Sequence, residues 1–353
     1  MKRILVTGAG GSAGINFIDS LRMAAESMHI VGTDVNKWHL ELPDVNSRYI
    51  LPRCTGKDYI DKLNRMIEKE KVEFVHPQPD VEVKVISENR DKINALTYLP
   101  QDKTIEICQN KLKLNEFLAK KDIPVPKSTP IKRVEDLREA VNEFKWRHRK
   151  IWLRAIRGAG ARASLPIQAA EQGEMWIDYW EKTAGLGYGD FMAGEFLPGK
   201  EFAFQSLWEN GEIITSAARE RLEYIFGELT PSGQSSSPSV ARVVQRDDVN
   251  AIATKAILAI DNKATGVFCV DLKENIEGIP CITEVNSGRF FTTSNFFASL
   301  GANMPYIYIK MAYKEEIPEL PKYDAAPDSC YWIRLMDKGP LLIKEGTWRS
   351  RII

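Results

Sequence analysis

No stretch of the 353-residue chain is an apolar run of the roughly 18 residues that a membrane span needs, so no helical membrane domain is expected. An excess of charge is missing too. The 48 Lys and Arg balance 48 Asp and Glu, which offers neither nucleic acid nor an anionic membrane a charged surface. Histidine is scarce: the four present include no pair at metal-ligand spacing, which argues against zinc or non-haem iron chemistry. The five cysteines (Cys54, Cys108, Cys269, Cys281 and Cys330) are scattered, form no CxxC and are odd in number, as in a protein of the reducing cytosol. No Ser-His-Asp or Cys-His set suggests a nucleophilic side chain. Met1-Lys2-Arg3-Ile4-Leu5 enters a strand pattern without signal-peptide character, so the expectation is a cytoplasmic protein of two or three domains.

What is present begins with a strand at Ile4 to Thr7, a glycine turn from Gly8 to Gly14, and helical spacing at Ile15, Ile18 and Leu21. A second strand ends at Asp34, and a third, Val72 to Val75, runs into His76-Pro77-Gln78-Pro79-Asp80. Strands alternating with helices imply a parallel, doubly wound sheet. A glycine turn with an acid about 20 residues on is a dinucleotide fingerprint in outline. An NAD(P) oxidoreductase is therefore one reading. Its catalytic Tyr-x-x-x-Lys spacing occurs only at Tyr306 and Lys310, far from the glycines in sequence.

Further along, Lys111 starts an amphipathic helix that stops before Ile123-Pro124-Val125-Pro126. Ile151-Trp152-Leu153 leads to Arg154 and a loop from Arg157 to Arg162, where amides and guanidinium groups can face phosphate oxygens. Glu195 and Glu201 flank Pro198-Gly199, and period two puts Glu201, Ala203 and Gln205 on one strand face with Phe202, Phe204 and Trp208 on the other. Asn210-Gly211 signals a hairpin. Arg219-Glu220-Arg221 suits an acid substrate, since guanidinium forks onto carboxylate; a solvated basic strand is the plainer reading. Asp271 is the lone charge of the strand Val267 to Leu272, and a turn at Glu277-Gly278 pairs it with Pro280 to Ser287. There Ile282, Glu284 and Asn286 are expected on one face. Two carboxylates and an amide on paired strands make a hard-oxygen site suited to Mg²⁺; the plainer reading is a solvated sheet face.

The order of these parts resembles the ATP-grasp superfamily, most closely its carbamoyl-phosphate-synthase-like branch, from residue 1 to about 315. The resemblance implies an α/β chain: an N-terminal Rossmann-like pre-ATP-grasp domain over 1–108, followed by a two-lobed α+β ATP-grasp domain over 109–318. Its lid would span about 124–196, and 319–353 would be a C-terminal extension packed on the core. Lys111 and Arg154 then match phosphate contacts, and Gly158 and Gly160 the flap over the triphosphate. Glu195, Phe196 and Leu197 match the adenine hinge, and Glu201 the ribose contact. Asp271, Glu284 and Asn286 match the metal ligands. Arg289 and Arg154 take the catalytic places, and Arg219, Arg221 and Arg289 would hold the acid.

The implied cofactors are ATP as co-substrate and Mg²⁺, as two ions, with Mn²⁺ as substitute. The implied activity is ADP-forming ligation of a small-molecule carboxylate to an amine, without nucleic acid or membrane; a homodimer is left open. A non-catalytic ATP sensor is the third reading. Asn110 stands where aspartate is usual before Lys111, and Ser287-Gly288-Arg289 replaces Pro-Arg, which leaves the register of Arg289 open by one residue.

Overall fold

Buried strands alternate with helices at the start of the chain, and there the sheet is parallel. The structure, a computed structural model, describes residues 1–144, 149–158, 163–235, 237–335 and 338–346. Strands β1 (Arg3–Thr7), β2 (His29–Asp34), β3 (Ser47–Ile50) and β4 (Phe74–His76) form one sheet in the order β3-β2-β1-β4. Alternation along β1 divides its two faces. Ile4 and Val6 pack with Phe17, Ile18 and Leu21 of α1 (Ser12–Arg22), whereas Leu5 packs with Tyr59, Leu63 and Ile67 of α2 (Tyr59–Glu70). Helices α3 (Asp80–Glu88), α4 (Asp102–Cys108) and α5 (Lys111–Ala119) follow. The Asn110 side chain caps α5 by accepting from the Lys113 N–H at 3.0 Å, so an amide does at this position what an aspartate would do.

A small antiparallel sheet comes next, with β5 (Ser128–Ile131), β6 (Ile151–Ala155), β7 (Leu165–Ile167) and β8 (Phe191–Glu195) in the order β5-β8-β6-β7. Its apolar face, including Ile151, Leu153 and Phe191, is covered by α6 (Val134–Phe144) and α7 (Ala170–Ala184). The opposite face carries Trp152, Arg154, Met192 and Gly194.

The large sheet has seven strands: β9 (Glu201–Glu209), β10 (Glu212–Tyr224), β11 (Pro238–Val244), β12 (Gly266–Glu274), β13 (Pro280–Ser287), β14 (Cys330–Leu335) and β15 (Lys338–Lys344). Their order is β13-β12-β9-β10-β11-β14-β15, so the C-terminal strands extend the sheet at one edge. Phe202, Phe204 and Trp208 pack under α8 (Asp247–Ile260). The other face of the sheet is covered as well. Ala203, Leu207 and Cys269 share a core with Ile4, Val6 and Phe17 of the N-terminal domain and with residues of α9 (Ser294–Ser299) and α10 (Met304–Ala312). Gln205 is therefore fully buried rather than solvated.

One expectation is corrected in β13. Asp271 lies opposite Glu284 but Leu272 lies opposite Ile282, so Thr283 is an extra residue in a β-bulge. The bulge breaks the period of two. Ile282 turns into the core under α8, while Glu284 and Asn286 face a cavity.

His76, at the end of β4, is fully buried and stacks on Phe17 with centroids 4.0 Å apart. Its Nε2 lies 2.8 Å from the Gln78 Oε1, and the Gln78 amide donates to the Phe290 carbonyl at 2.7 Å. This network assigns the proton to Nε2 and leaves Nδ1 without a partner among the described residues. A second proton would be buried uncompensated, and burial pushes the imidazole down to about 4. The unfolded chain takes up that proton near pH 6.5. Stability should hold above pH 6.5 and fall by roughly 3 kcal/mol as pH drops from there through 4. Urea titrations at pH 7 and pH 4.5 check this, and His76→Asn should flatten the difference.

Candidate active site

A cavity of about 980 Å³ lies between the small sheet, the large sheet and the N-terminal domain. Its walls include Lys111, Arg154, Gly158, Glu195, Phe196, Leu197, Glu201, Arg221, Asp271, Glu284, Asn286 and Arg289. Residues distant in sequence thus reach one space. Gly160 lies outside the described residues. Arg219 is absent from the wall: it is buried behind it.

Lys111 is placed by the first turn of α5. Its Nζ donates to the Gly158 carbonyl at 2.5 Å and sits 3.6 Å from the Glu284 carboxylate. Arg154, at the end of β6, donates to the Thr283 carbonyl at 2.9 Å. The bulge frees that carbonyl from the ladder, and the arginine satisfies it while staying close to Glu284 and Asp271. Glu195 accepts from the Lys127 N–H at 3.3 Å, and the Lys127 carbonyl accepts from the Glu195 N–H at 2.9 Å, so the turn into Phe196 and Leu197 is held on both sides.

The carboxylates are bound into a chain of alternating charge. Glu201 accepts from Tyr224, from Gln234 at 3.0 Å, and from Arg221 and Lys273 at 3.3 Å each. Arg221 also donates to Asp271 at 2.5 Å, and the Asn286 amide donates to the same carboxylate at 3.3 Å. The Asn286 oxygen accepts from Arg289, which donates in turn to Asp80 at the start of α3. Burial raises the Asp271 carboxyl, and the Glu284 charge outweighs part of the opposing pull of Arg221. Burial also penalises ionised Glu284, but Lys111, Arg289 and Arg154 overcome it and leave that carboxyl lowered. Glu201 is lowered likewise, with Lys273 and Arg221 overcoming burial.

Two facing carboxylates and an amide oxygen offer hard donors, the chemistry that Mg²⁺ takes. Among the described residues no three His, Cys, Asp or Glu side chains gather at one point, so the amide of Asn286 is needed as the third donor. The donor set fits the ion once that amide turns, since its nitrogen donates to Asp271 and its oxygen accepts from Arg289.

The glycine turn is built for packing. Gly8 has φ +58, and a Cβ there would meet Pro79 Cγ at 2.4 Å. Asp34 accepts from Gly10 at 3.0 Å and from Asn36 at 2.9 Å, so the acid of the dinucleotide outline is consumed by the turn itself. Tyr306 donates to Glu26, and neither it nor Lys310 lines the cavity. The oxidoreductase set is not assembled.

Arg219 has no hydrogen-bond partner for any guanidinium nitrogen among the described residues. It lies over the Phe291 ring at 4.7 Å and the Phe297 ring at 5.5 Å. Burial, with Arg221 nearby, pushes it down to about 9. Sequence reasoning assigned no role to Tyr224, Gln234, Lys273 or Asp80. Lys273 carried a signal, standing two residues beyond Asp271 on one strand; Tyr224 carried none, because an irregularity at the end of β10 turns it to Glu201, and Gln234 none, because a loop brings it back.

The sequence matches a family model described as PylC-like, N-terminal domain, over residues 4–98. A comparison with curated proteins finds no match. Among solved structures, the L-amino acid ligase from Bacillus licheniformis is similar with TM-score 0.69 and 13% identity, over 94% of this chain and 79% of that one. The 2-oxoglutarate carboxylase biotin carboxylase domain dimer from Hydrogenobacter thermophilus, in complex with MgADP, ADP and bicarbonate, gives 0.70 and 15% over 94% and 73%. The N5-carboxyaminoimidazole synthetase from Staphylococcus aureus, complexed with ADP, gives 0.70 and 13% over 95% and 82%. These likenesses show the fold. It is the ATP-grasp fold, with a parallel-sheet domain at its N-terminus.

Glu201 is the acceptor that its four donors share. Glu201→Ala should leave Arg221 and Lys273 partly buried without it and cost about 3 kcal/mol in urea unfolding, whereas Glu201→Gln should cost less. Equal stability of Glu201→Ala and the wild type would refute the arrangement.

Proposed function

We propose that the cavity binds ATP with Mg²⁺, phosphorylates a small-molecule carboxylate and passes its acyl group to an amine, releasing ADP and phosphate. The observation that carries this reading is the convergence of Lys111, Arg154 and Arg289 on Asp271, Glu284 and Asn286 within one cavity. In this reading residues 1–108 are the pre-ATP-grasp domain, 109–318 the ATP-grasp domain with its lid at about 124–196, and 319–353 a C-terminal extension packing on the core. The turn Glu195-Phe196-Leu197 receives the base, and Glu201 the ribose hydroxyls. A homodimer and a cytoplasmic setting agree with it. All five cysteines are free and buried, and among the described residues no helix is long and apolar enough to cross a membrane.

Asp271, Glu284 and Asn286 would hold the metal, which supplies positive charge to the oxygens of the transferring phosphate. Lys111 and Arg154 orient the triphosphate from the α5 and β6 sides of the cavity. An oxygen of the acid attacks the γ-phosphorus, the bond to ADP breaks, and the new acyl phosphate keeps its leaving group beside Arg154 and Arg289. The amine nitrogen then attacks the carbonyl carbon, the C–O bond to phosphate breaks, and the nitrogen releases a proton to water. Positioning and fixed charge carry the rate, so no nucleophilic side chain is required.

Calorimetry should show Mg²⁺-dependent ATP binding and negligible NADPH binding; the reverse would overturn the reading. A phosphate-release screen of acids and amines then finds a turnover pair, and absence of acid-dependent ADP formation would favour a sensor. With such a pair, Glu284→Gln and Asp271→Asn should lower single-turnover ADP formation by about 100-fold or more, a loss of the size seen when transition-state charge stabilisation is removed. ATP affinity should fall much less. The double variant should lose less than the product of the two effects, since both residues serve one site. Wild-type rates in both single variants would make the cluster a structural charge pair.

A further inference from the structure

Three arginines of the large sheet lie near one another on a single face, and only one of them is answered by carboxylates. Arg221 lines the cavity and is held by Glu201 and Asp271. Arg219, two residues away and therefore on the same face of β10, is fully buried with all three nitrogens unpartnered among the described residues. Arg334 of β14 donates to the carbonyls of Thr292 and Pro238, and its second terminal nitrogen is buried without a partner among the described residues. The Phe291 ring separates Arg219 from the cavity: Arg219 lies 4.7 Å and Arg221 5.5 Å from its centroid, and Phe291 and Thr292 both line the cavity. Buried guanidinium groups without counter-charge are unfavourable unless an anion answers them.

The strand register sets the Arg219 backbone apart from that of Asp271. Asp271, Ala203 and Arg219 form one row across β12, β9 and β10, because Asp271 pairs with Ala203 and Ala203 with Arg219. Two strand spacings, on the order of 10 Å, separate the backbones of Asp271 and Arg219, while the Arg221 side chain reaches the Asp271 carboxylate at 2.5 Å. We propose that the end of the cavity bounded by Arg221, Phe291 and Thr292 receives a second anionic group of the acid substrate, so that the substrate is a dianionic acid. The inference rests on the ligase reading and adds the substrate class to it. Arg219 and Arg334 act from behind the Phe291–Thr292 wall, and the C-terminal strand thereby contributes to specificity. A carboxylate and a phosphate are both possible as the second group, since both answer guanidinium.

The test uses the full chain with Mg²⁺ and ADP, and calorimetry with three probes: heptanoate, pimelate of matched length, and 6-phosphogluconate. The wild type should bind one or both dianions at least tenfold tighter than heptanoate, and whichever is tighter identifies the second group. Arg334→Gln and Arg219→Met should each reduce that preference by tenfold or more, with Mg²⁺-dependent ATP binding unchanged. Arg219→Met should also raise or keep the Tm, because it removes an unanswered buried charge. If Arg219→Met does not fold, Arg334→Gln decides alone. Equal binding of all three probes by the wild type, or a preference untouched in Arg334→Gln, overturns the proposal. Loss of ATP binding in the wild type would overturn the ligase reading instead, so the two failures are distinct.

Discussion

A chain of buried alternating charges holds the site, and the arrangement of the domains around it depends on the same chain. It runs from Lys273, Tyr224 and Gln234 to Glu201, through Arg221 to Asp271, then through Asn286 and Arg289 to Asp80. Lys273, Tyr224 and Glu201 stand on the large sheet, Gln234 lies in the loop before β11, and Asp80 begins α3 of the N-terminal domain. Removing one member of such a chain strands its neighbours in a poorly solvated place, so its parts are coupled in stability as well as in chemistry. The apolar core runs the same way, with Phe17 and Phe74 of the N-terminal domain joined to Phe290, Tyr308 and Ala203. Packing supplies the bulk of the cohesion, and the charged chain sets the register of the two bodies at the cavity.

The chain also limits what the site can do. Each carboxylate already has a cationic partner within the protein: Arg221 for Asp271 and Glu201, Lys111 for Glu284. A divalent cation entering at Asp271 competes with a guanidinium for the same oxygens, so binding is an exchange of cations at nearly constant charge. Desolvation of the carboxylates has already been met by folding, which lowers the reorganisation required at the moment of phosphoryl transfer.

The architecture was legible where local pattern decides structure. Alternating strands and helices gave a parallel sheet, and Asn210-Gly211 gave the β9–β10 hairpin, with Glu209 opposite Glu212. The cavity lining contains most of the residues picked out along the chain, from Lys111 to Arg289. Three features were not legible, each for a physical reason. The extra residue at Thr283 leaves no mark in an alternating pattern, because a bulge is a property of two paired strands. The fate of Asp34 depends on a contact with the Gly10 amide that sequence spacing does not distinguish from a ribose contact. Arg219 and Arg221 look equivalent in sequence, yet one faces the cavity and the other lies behind Phe291, because the segment after β13 folds back over the sheet.

That last difference carries the chemistry furthest. A strand that places two arginines on one face would ordinarily give them the same solvent, and each could find a carboxylate or water. Here the turn after Arg289 brings the Phe291 ring close to both; one guanidinium is spent within the charged chain, and the other, without a hydrogen-bond partner among the described residues, lies over ring faces at 4.7 and 5.5 Å. Ring faces stabilise a cation by only a fraction of what an anion does in the same place. Replacing such an arginine with an apolar residue of similar volume should cost little stability or none. A fully buried guanidinium beside the cavity wall is therefore better explained by charge acting across Phe291 than by packing, and the strand carrying Arg334 strengthens the same field from the sheet edge.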